Sequence, residues 1–175
     1  MTKISLDLIK ELRNMTSASI AECKKALHDT EGDLQKAVTL LRKRGLEIAA
    51  KKQGRAAKEG RIEAYVHMGN KVGVLLEVNC ETDFVARNSE FCQFTKDLAM
   101  QITALSPAYI TKEEVPKEVI AEEKDKDTFY KTHCLLEQAF IKDPGITIKD
   151  YLGTLVAKFS ENISIRRFMR YKIGE

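Results

Sequence analysis

Apolar residues recur at helical spacing through the first 45 positions. Leu6, Ile9 and Leu12 mark a first helix. Ile20, Cys23, Ala26 and Leu27 share one face of a second, with Lys24 and Lys25 off it, and Leu34, Ala37, Val38 and Leu41 stripe a third. Asn14-Met15-Thr16-Ser17 breaks the first pattern, Glu31-Gly32-Asp33 is a turn with Asp33 placed as an N-cap, and Gly45 is the expected stop. A bundle of residues 1–45 has little area to bury, so it is expected to serve as an attached binding module. From 46 to 60 the pattern lapses. Ala49 to Lys58 holds no large apolar residue and four cations, Lys51, Lys52, Arg55 and Lys58. It predicts a basic linker, partly helical, or a contact strip for an acidic partner.

The period then changes to two. Ile62, Ala64, Val66 and Met68 alternate with Glu63, Tyr65 and His67, and Val72, Val74, Leu76 and Val78 alternate after a Gly69-Asn70-Lys71 turn. Together they predict an antiparallel hairpin. Past Cys80 the spacing is helical again, with Thr82 as N-cap, Phe91, Phe94, Leu98, Ile102 and Leu105 on one face, and Ser106-Pro107 as the end. Thr111-Lys112-Glu113-Glu114 has capping-box spacing and opens a charged helical excursion over 111–145, closed by Asp143-Pro144-Gly145. Thr147 is expected to cap a last helix carrying Ile148, Leu152, Leu155, Val156 and Phe159. Residues 163–173 read as a third strand with Ile163, Ile165, Met169 and Tyr171 on one side. The fold class is therefore α+β: an N-terminal three-helix module (1–45), a basic linker (46–60), and a core of residues 61–175 built on a three-stranded antiparallel sheet covered by helices.

Composition narrows the function classes. Of 175 residues, 43% are hydrophobic and 31% charged, an ordinary globular balance. No apolar run is long enough to span a bilayer, and Asp7 stands where a secretion leader needs apolar residues. Four cysteines without a CxxC pair suit a reducing cytoplasm and exclude a zinc ribbon. The net charge of +3 is too balanced to argue for nucleic acid, although residues 1–60 carry +5 and residues 105–145 carry −3. No catalytic residues, metal ligands or cofactor site emerge. Glycine-rich phosphate loops, GxSxG and HExxH are all missing from the sequence. A Cys80–His67 nucleophile and base, or a metal held by His67, His133 and Cys134, has no supporting spacing.

One stretch exceeds a structural account. Glu81-Thr82-Asp83-Phe84-Val85-Ala86-Arg87-Asn88 lies at a strand-to-helix junction with Phe84 between Asp83 and Arg87. That ring is either a staple onto the core or an exposed anchor for a partner, and periodicity leaves both open. Leu76 to Asn88 as a whole closely resembles the signature of the bacterial translation elongation factor Ts family. Residues 9–13, 23–27 and 32–33 resemble the family's ubiquitin-associated (UBA)-like module, and Glu161-Asn162-Ile163-Ser164-Ile165-Arg166-Arg167 resembles a C-terminal motif. The three blocks follow the family order across nearly the whole chain. Ser17 and Ser19 depart from it, standing where many members have glycine. The length resembles the short form with a single core unit.

The resemblance implies a guanine-nucleotide exchange factor whose partner is the GTPase elongation factor Tu, with no covalent chemistry and no cofactor. It assigns Thr82, Asp83, Phe84 and Val85 to dislodging Mg2+ from the partner, and Ala86, Arg87 and Asn88 to partner binding. It also implies a bacterial, cytoplasmic setting without direct nucleic-acid or membrane contact. One core unit leaves sheet edges and a face uncovered, so a homodimer is expected. The rival readings are a ubiquitin- or peptide-binding adaptor, which leaves 82–88 unused, and an RNA binder, which lacks interleaved aromatic and basic residues.

Overall fold

The computed structural model describes residues 4–16 and 18–175; Met1–Lys3 and Ser17 lie outside the described residues, and of the break expected at Asn14-Met15-Thr16-Ser17 the first three residues are still helical. Two compact units divide the chain. One runs up to Arg55 and adds Asp150–Asn162; the other holds Ala56–Lys149 and Ile163–Glu175.

The first unit contains α1 (Leu6–Thr16), α2 (Ile20–Asp29), α3 (Leu34–Lys52) and most of α8 (Ile148–Phe159). Ile9, Leu12, Cys23, Ala26, Leu27, Ala37, Val38 and Leu41 form one buried cluster, the stripes read from the sequence. Leu6 and Ile20, at the starts of their helices, remain exposed. Asp33 caps α3 by accepting from the Lys36 N–H at 3.0 Å. Ser19, at one of the two serine departures, closes a capping box. Its hydroxyl oxygen accepts from the Glu22 N–H at 3.3 Å, while Glu22 Oε2 accepts from the Ser19 N–H at 3.1 Å.

Gly45 does not stop α3, which continues seven residues to Lys52 and takes in the first part of the expected linker. The glycine is there for close approach. A Cβ at Gly45 would lie 3.2 Å from the Gly153 carbonyl oxygen, so α3 and α8 cross where neither carries a side chain. Packing at this crossing outweighs the roughly 1 kcal/mol that a glycine costs inside a helix. Gly45→Leu is expected to destabilise the protein by about 2–3 kcal/mol through overpacking. Thermal unfolding followed by circular dichroism checks this; an unchanged midpoint would show that the crossing yields freely.

The second unit is built on an antiparallel sheet of order β1-β2-β5, with β1 Glu59–Val66, β2 Val72–Cys80 and β5 Ser164–Lys172. Val74, Leu76, Val78 and Cys80 are buried on one face of β2, as their alternation predicts. On β1 the expected inward face is reversed. Glu63 pairs with Leu76 and points inward at 8% exposure, whereas Ile62 and Val66 point outward. Register decides this, because directly opposed residues share a face and β2 fixes which one is covered.

The residues expected on one side of the third strand are likewise split, and Ile163 precedes β5. A register shift opposite Glu77 and Val78 leaves Arg166 as an extra residue, so Ile165 is buried while Met169 and Tyr171 face outward. The outward face of the sheet thus carries Ile62, Val66, Leu75, Met169 and Tyr171, each 50–67% exposed. Ala64, Leu75 and Met169 form its central row, and the Glu77–Arg167 ion pair, at 2.7 Å, lies in the next row. That hydrogen bond from Arg167 holds the Glu77 carboxyl below the usual range.

The single helix expected from Thr82 is two: α4 (Asp83–Ala86), then α5 (Ser89–Leu105). Phe91, Phe94, Leu98 and Ile102 are fully buried, and α5 packs on β1 and β2; Leu105, the last residue of the helix, is exposed. The excursion holds a 3-10 turn (Lys112–Glu114), α6 (Lys117–Glu122), α7 (Lys126–His133) and a second 3-10 turn (Leu135–Glu137). The predicted capping box is not formed: Thr111 makes no side-chain cap, and Glu114 instead accepts from the Ile110 N–H at 2.9 Å. Asp143-Pro144-Gly145 opens β4 (Asp143–Thr147), which pairs with β3 (Ala139–Phe140). Buried Gln101 of α5 ties this hairpin down, donating to Gln138 Oε1 and the Ala139 carbonyl and accepting from the Ile141 N–H. Among the described residues no helix is long and apolar enough to cross a membrane.

Candidate partner-binding site

The conspicuous local structure is the one-turn helix between β2 and α5. Thr82 has extended backbone and caps α4, its hydroxyl accepting from the Val85 N–H at 3.4 Å. Asn88 caps α5 in turn, accepting from the Glu90 N–H at 2.9 Å. Two caps six residues apart leave room for a single turn, which is why the chain kinks here. Val85 and Ala86 are buried, and α4 packs against β1, β2 and α5. With those two side chains turned inward, Phe84 is turned out.

Phe84 is 80% exposed. The core-staple alternative is therefore excluded, and the ring stands free on a buried base. Asp83 and Arg87 flank it and pair across one helical turn at 3.2 Å, both largely solvated. Asp83, Phe84, Arg87 and Asn88 line an open concavity of about 360 Å3. The segment thus gathers all seven residues singled out in the sequence into two sets: Thr82, Val85 and Ala86 support the turn, whereas Asp83, Phe84, Arg87 and Asn88 form its outer surface.

The other chemical candidates are dispersed. Cys80 faces Glu59 at one end of the β1–β2 ladder, and its thiol donates to the Thr82 carbonyl at 3.1 Å. His67 follows the opposite end of β1, roughly 25 Å away at 3.3 Å per residue, and bonds the Tyr65 hydroxyl at 3.0 Å. His133 stacks on Phe129 with ring centroids 4.4 Å apart. Cys134 is buried beside Phe129 and Val115, and burial pushes its thiol pKa up. Among the described residues no group of three or more His, Cys, Asp or Glu could hold a metal ion.

The family model for elongation factor TS matches residues 2–128 and 125–175. The chain belongs to the elongation factor Ts family. It is 48% identical to the elongation factor Ts of Caldanaerobacter subterraneus over 98% of each chain. It is 47% identical to that of Thermotoga neapolitana over 99% of this chain and 98% of the relative. It is also 47% identical to that of Carboxydothermus hydrogenoformans, over 98% and 90%. Membership makes this a translation elongation factor that works by nucleotide exchange on elongation factor Tu, not by catalysing a chemical reaction.

Sequence reasoning passed over the residues beneath the turn. Arg61 Nε donates to Glu63 Oε2 at 2.8 Å, and Arg61 also donates to Cys92 Sγ at 3.3 Å. The Cys92 thiol in turn lies 3.7 Å from the Ala86 carbonyl oxygen, which it approaches as donor. The available signal was a glutamate on an apolar hairpin with an arginine two positions before it, on the same face of the strand.

Proposed function

We propose that the protein loosens GDP from elongation factor Tu by pressing the turn at residues 82–88 against the GTPase beside its Mg2+ and switch region. The observation that carries this reading is Phe84, exposed at 80% on a base fixed by buried Val85 and Ala86. A large ring kept in water without support from its own core is the profile of an interface anchor. Phe84 inserts as an apolar wedge. Asp83 competes for polar contacts around the metal's water shell, whose octahedral geometry tolerates little displacement. Thr82 and Val85 hold the wedge at its working angle, and Ala86, Arg87 and Asn88 shape the contact around it.

Exchange requires differential affinity. A factor that binds nucleotide-filled and empty partner equally moves nothing. Coupling is negative and reciprocal, each tenfold loosening of GDP reflecting about 1.4 kcal/mol of contact made better in the empty state. The three helices of residues 1–45, UBA-like in this reading, dock on the GTPase and place the wedge. The exposed sheet face pairs with that of a second copy, since a sheet covered by α5 on one side leaves Leu75 and Met169 in water on the other. The setting is the bacterial cytoplasm, without nucleic acid or membrane as a direct partner. Immobilised protein is expected to capture purified nucleotide-free elongation factor Tu and to release most of it when excess GDP is added. Retention unaffected by GDP would remove the reciprocal coupling on which exchange depends.

A further inference from the structure

Beneath the turn lies a chain of polar contacts linking β1 to α5. Glu63, almost wholly buried on the inner face of β1, accepts from Arg61 Nε at 2.8 Å and from the Thr95 hydroxyl at 3.0 Å. That hydroxyl is also 2.9 Å from the Cys92 carbonyl. The other arm of Arg61 donates to Cys92 Sγ, and the Cys92 thiol points at the Ala86 carbonyl. The sulfur is therefore acceptor and donor at once, which fixes the thiol hydrogen toward α4. Glu63 is buried while the Arg61 side chain is partly in water, so the pair adds little net stability, and the best-attested use of such a polar pair is to specify one arrangement over its neighbours.

We propose that Arg61, Glu63 and Cys92 are positioning residues: they fix the Ala86 end of the turn relative to β1 and α5, so that Phe84 is presented in one place. The inference rests on the exchange reading above for its functional consequence. It does not rest on that reading for its structural one. The two ends of the turn are held alike, since Cys80 donates to the Thr82 carbonyl at 3.1 Å just as Cys92 approaches that of Ala86. The Cys80 anchor sits within the motif's own strand. The Cys92 anchor reaches it from α5 and is set by a β1 arginine.

Arg61→Lys and Cys92→Ala separate this role from simple stabilisation. Lysine keeps a cation for Glu63 but has no second arm in fixed geometry for the sulfur. Cys92→Ala deletes the relay atom and leaves the ion pair. In the free protein, both are expected to speed amide hydrogen exchange at Ala86, Arg87 and Asn88 about fivefold, with β2 amides unchanged. With elongation factor Tu bound to a fluorescent GDP analogue, both are expected to lower the maximal release rate about fivefold while half-saturation moves less than twofold, because a misplaced wedge acts after docking. A variant that was merely part-unfolded would instead raise half-saturation and speed exchange in β2 as well, and that pattern overturns the proposal. So does unchanged hydrogen exchange at 86–88, or a maximal rate within twofold of wild type. If the wild-type protein fails to accelerate release at all, the exchange reading falls, while hydrogen exchange in the free chain still decides whether the tether holds the turn.

Discussion

Phe84→Ala is expected to fold as the wild type does and to lose at least nine-tenths of its ability to release GDP from elongation factor Tu. The two halves of that expectation have separate physical grounds. Stability is spared because the ring is 80% exposed and leaves no cavity behind; the 3–5 kcal/mol typical of truncating a buried phenylalanine does not apply. Activity is lost because burial of a whole phenylalanine ring in a partner is worth about 1.5–3 kcal/mol, and a wedge contributes only in the state where it is inserted. By that figure the release rate falls roughly ten- to a hundredfold. Phe84→Leu is expected to keep an intermediate rate, having apolar volume without ring width. Stopped-flow release of a fluorescent GDP analogue makes the measurement, and a rate within twofold of wild type would end the wedge interpretation.

The second large effect concerns the uncovered sheet face. Wild-type protein is expected to sediment as a dimer at micromolar concentration, and Leu75→Glu to sediment as a monomer with an unchanged circular dichroism spectrum. Leu75 is the middle residue of the middle row, between Ala64 and Met169. A two-fold interface repeats every substitution, so a single change brings two carboxylates into one desolvated patch. Stranding an unpaired charge costs about 3–5 kcal/mol, more than a hundredfold in dissociation constant even if only one is fully desolvated. The isolated fold tolerates the change because the side chain is half in water already. Wild type that remains monomeric across the concentration series refutes the dimer. A Leu75→Glu dimer as tight as wild type places the contact elsewhere.

Local signals in the sequence were read correctly where one physical effect dominated. The buried side of β2, the inner face of α5 and the caps at Asp33 and Thr82 follow directly from period and side-chain chemistry. Errors arose where two effects competed. Ile62, Ala64 and Val66 look like an inward face until register with β2 assigns the covered side to Glu63, whose charge is balanced by Arg61. Ile165 and Met169 look alike until an extra residue at Arg166 reverses the alternation. Gly45 has the composition of a stop signal and the surroundings of a helix crossing. Of the candidate site, residues 82–88 stood out in the sequence as one local segment, whereas the outward turn of Phe84 was not legible. It depends on which neighbours claim the interior, and Val85 and Ala86 do.

The crossing of Gly45 with Gly153 bears on how the molecule is born. One of its two units closes only when residues 150–162 arrive, about 95 positions after Arg55. At about 5–20 residues per second, a ribosome delivers that last helix roughly 5–20 seconds late. Until then α3 lacks the helix that crosses it at Gly45, and the intervening residues, which include the other unit's β1, β2 and α5, are synthesised first. Synthesis order thus makes the α1–α3 cluster the earliest core to appear and the Gly45 crossing one of the last contacts to form.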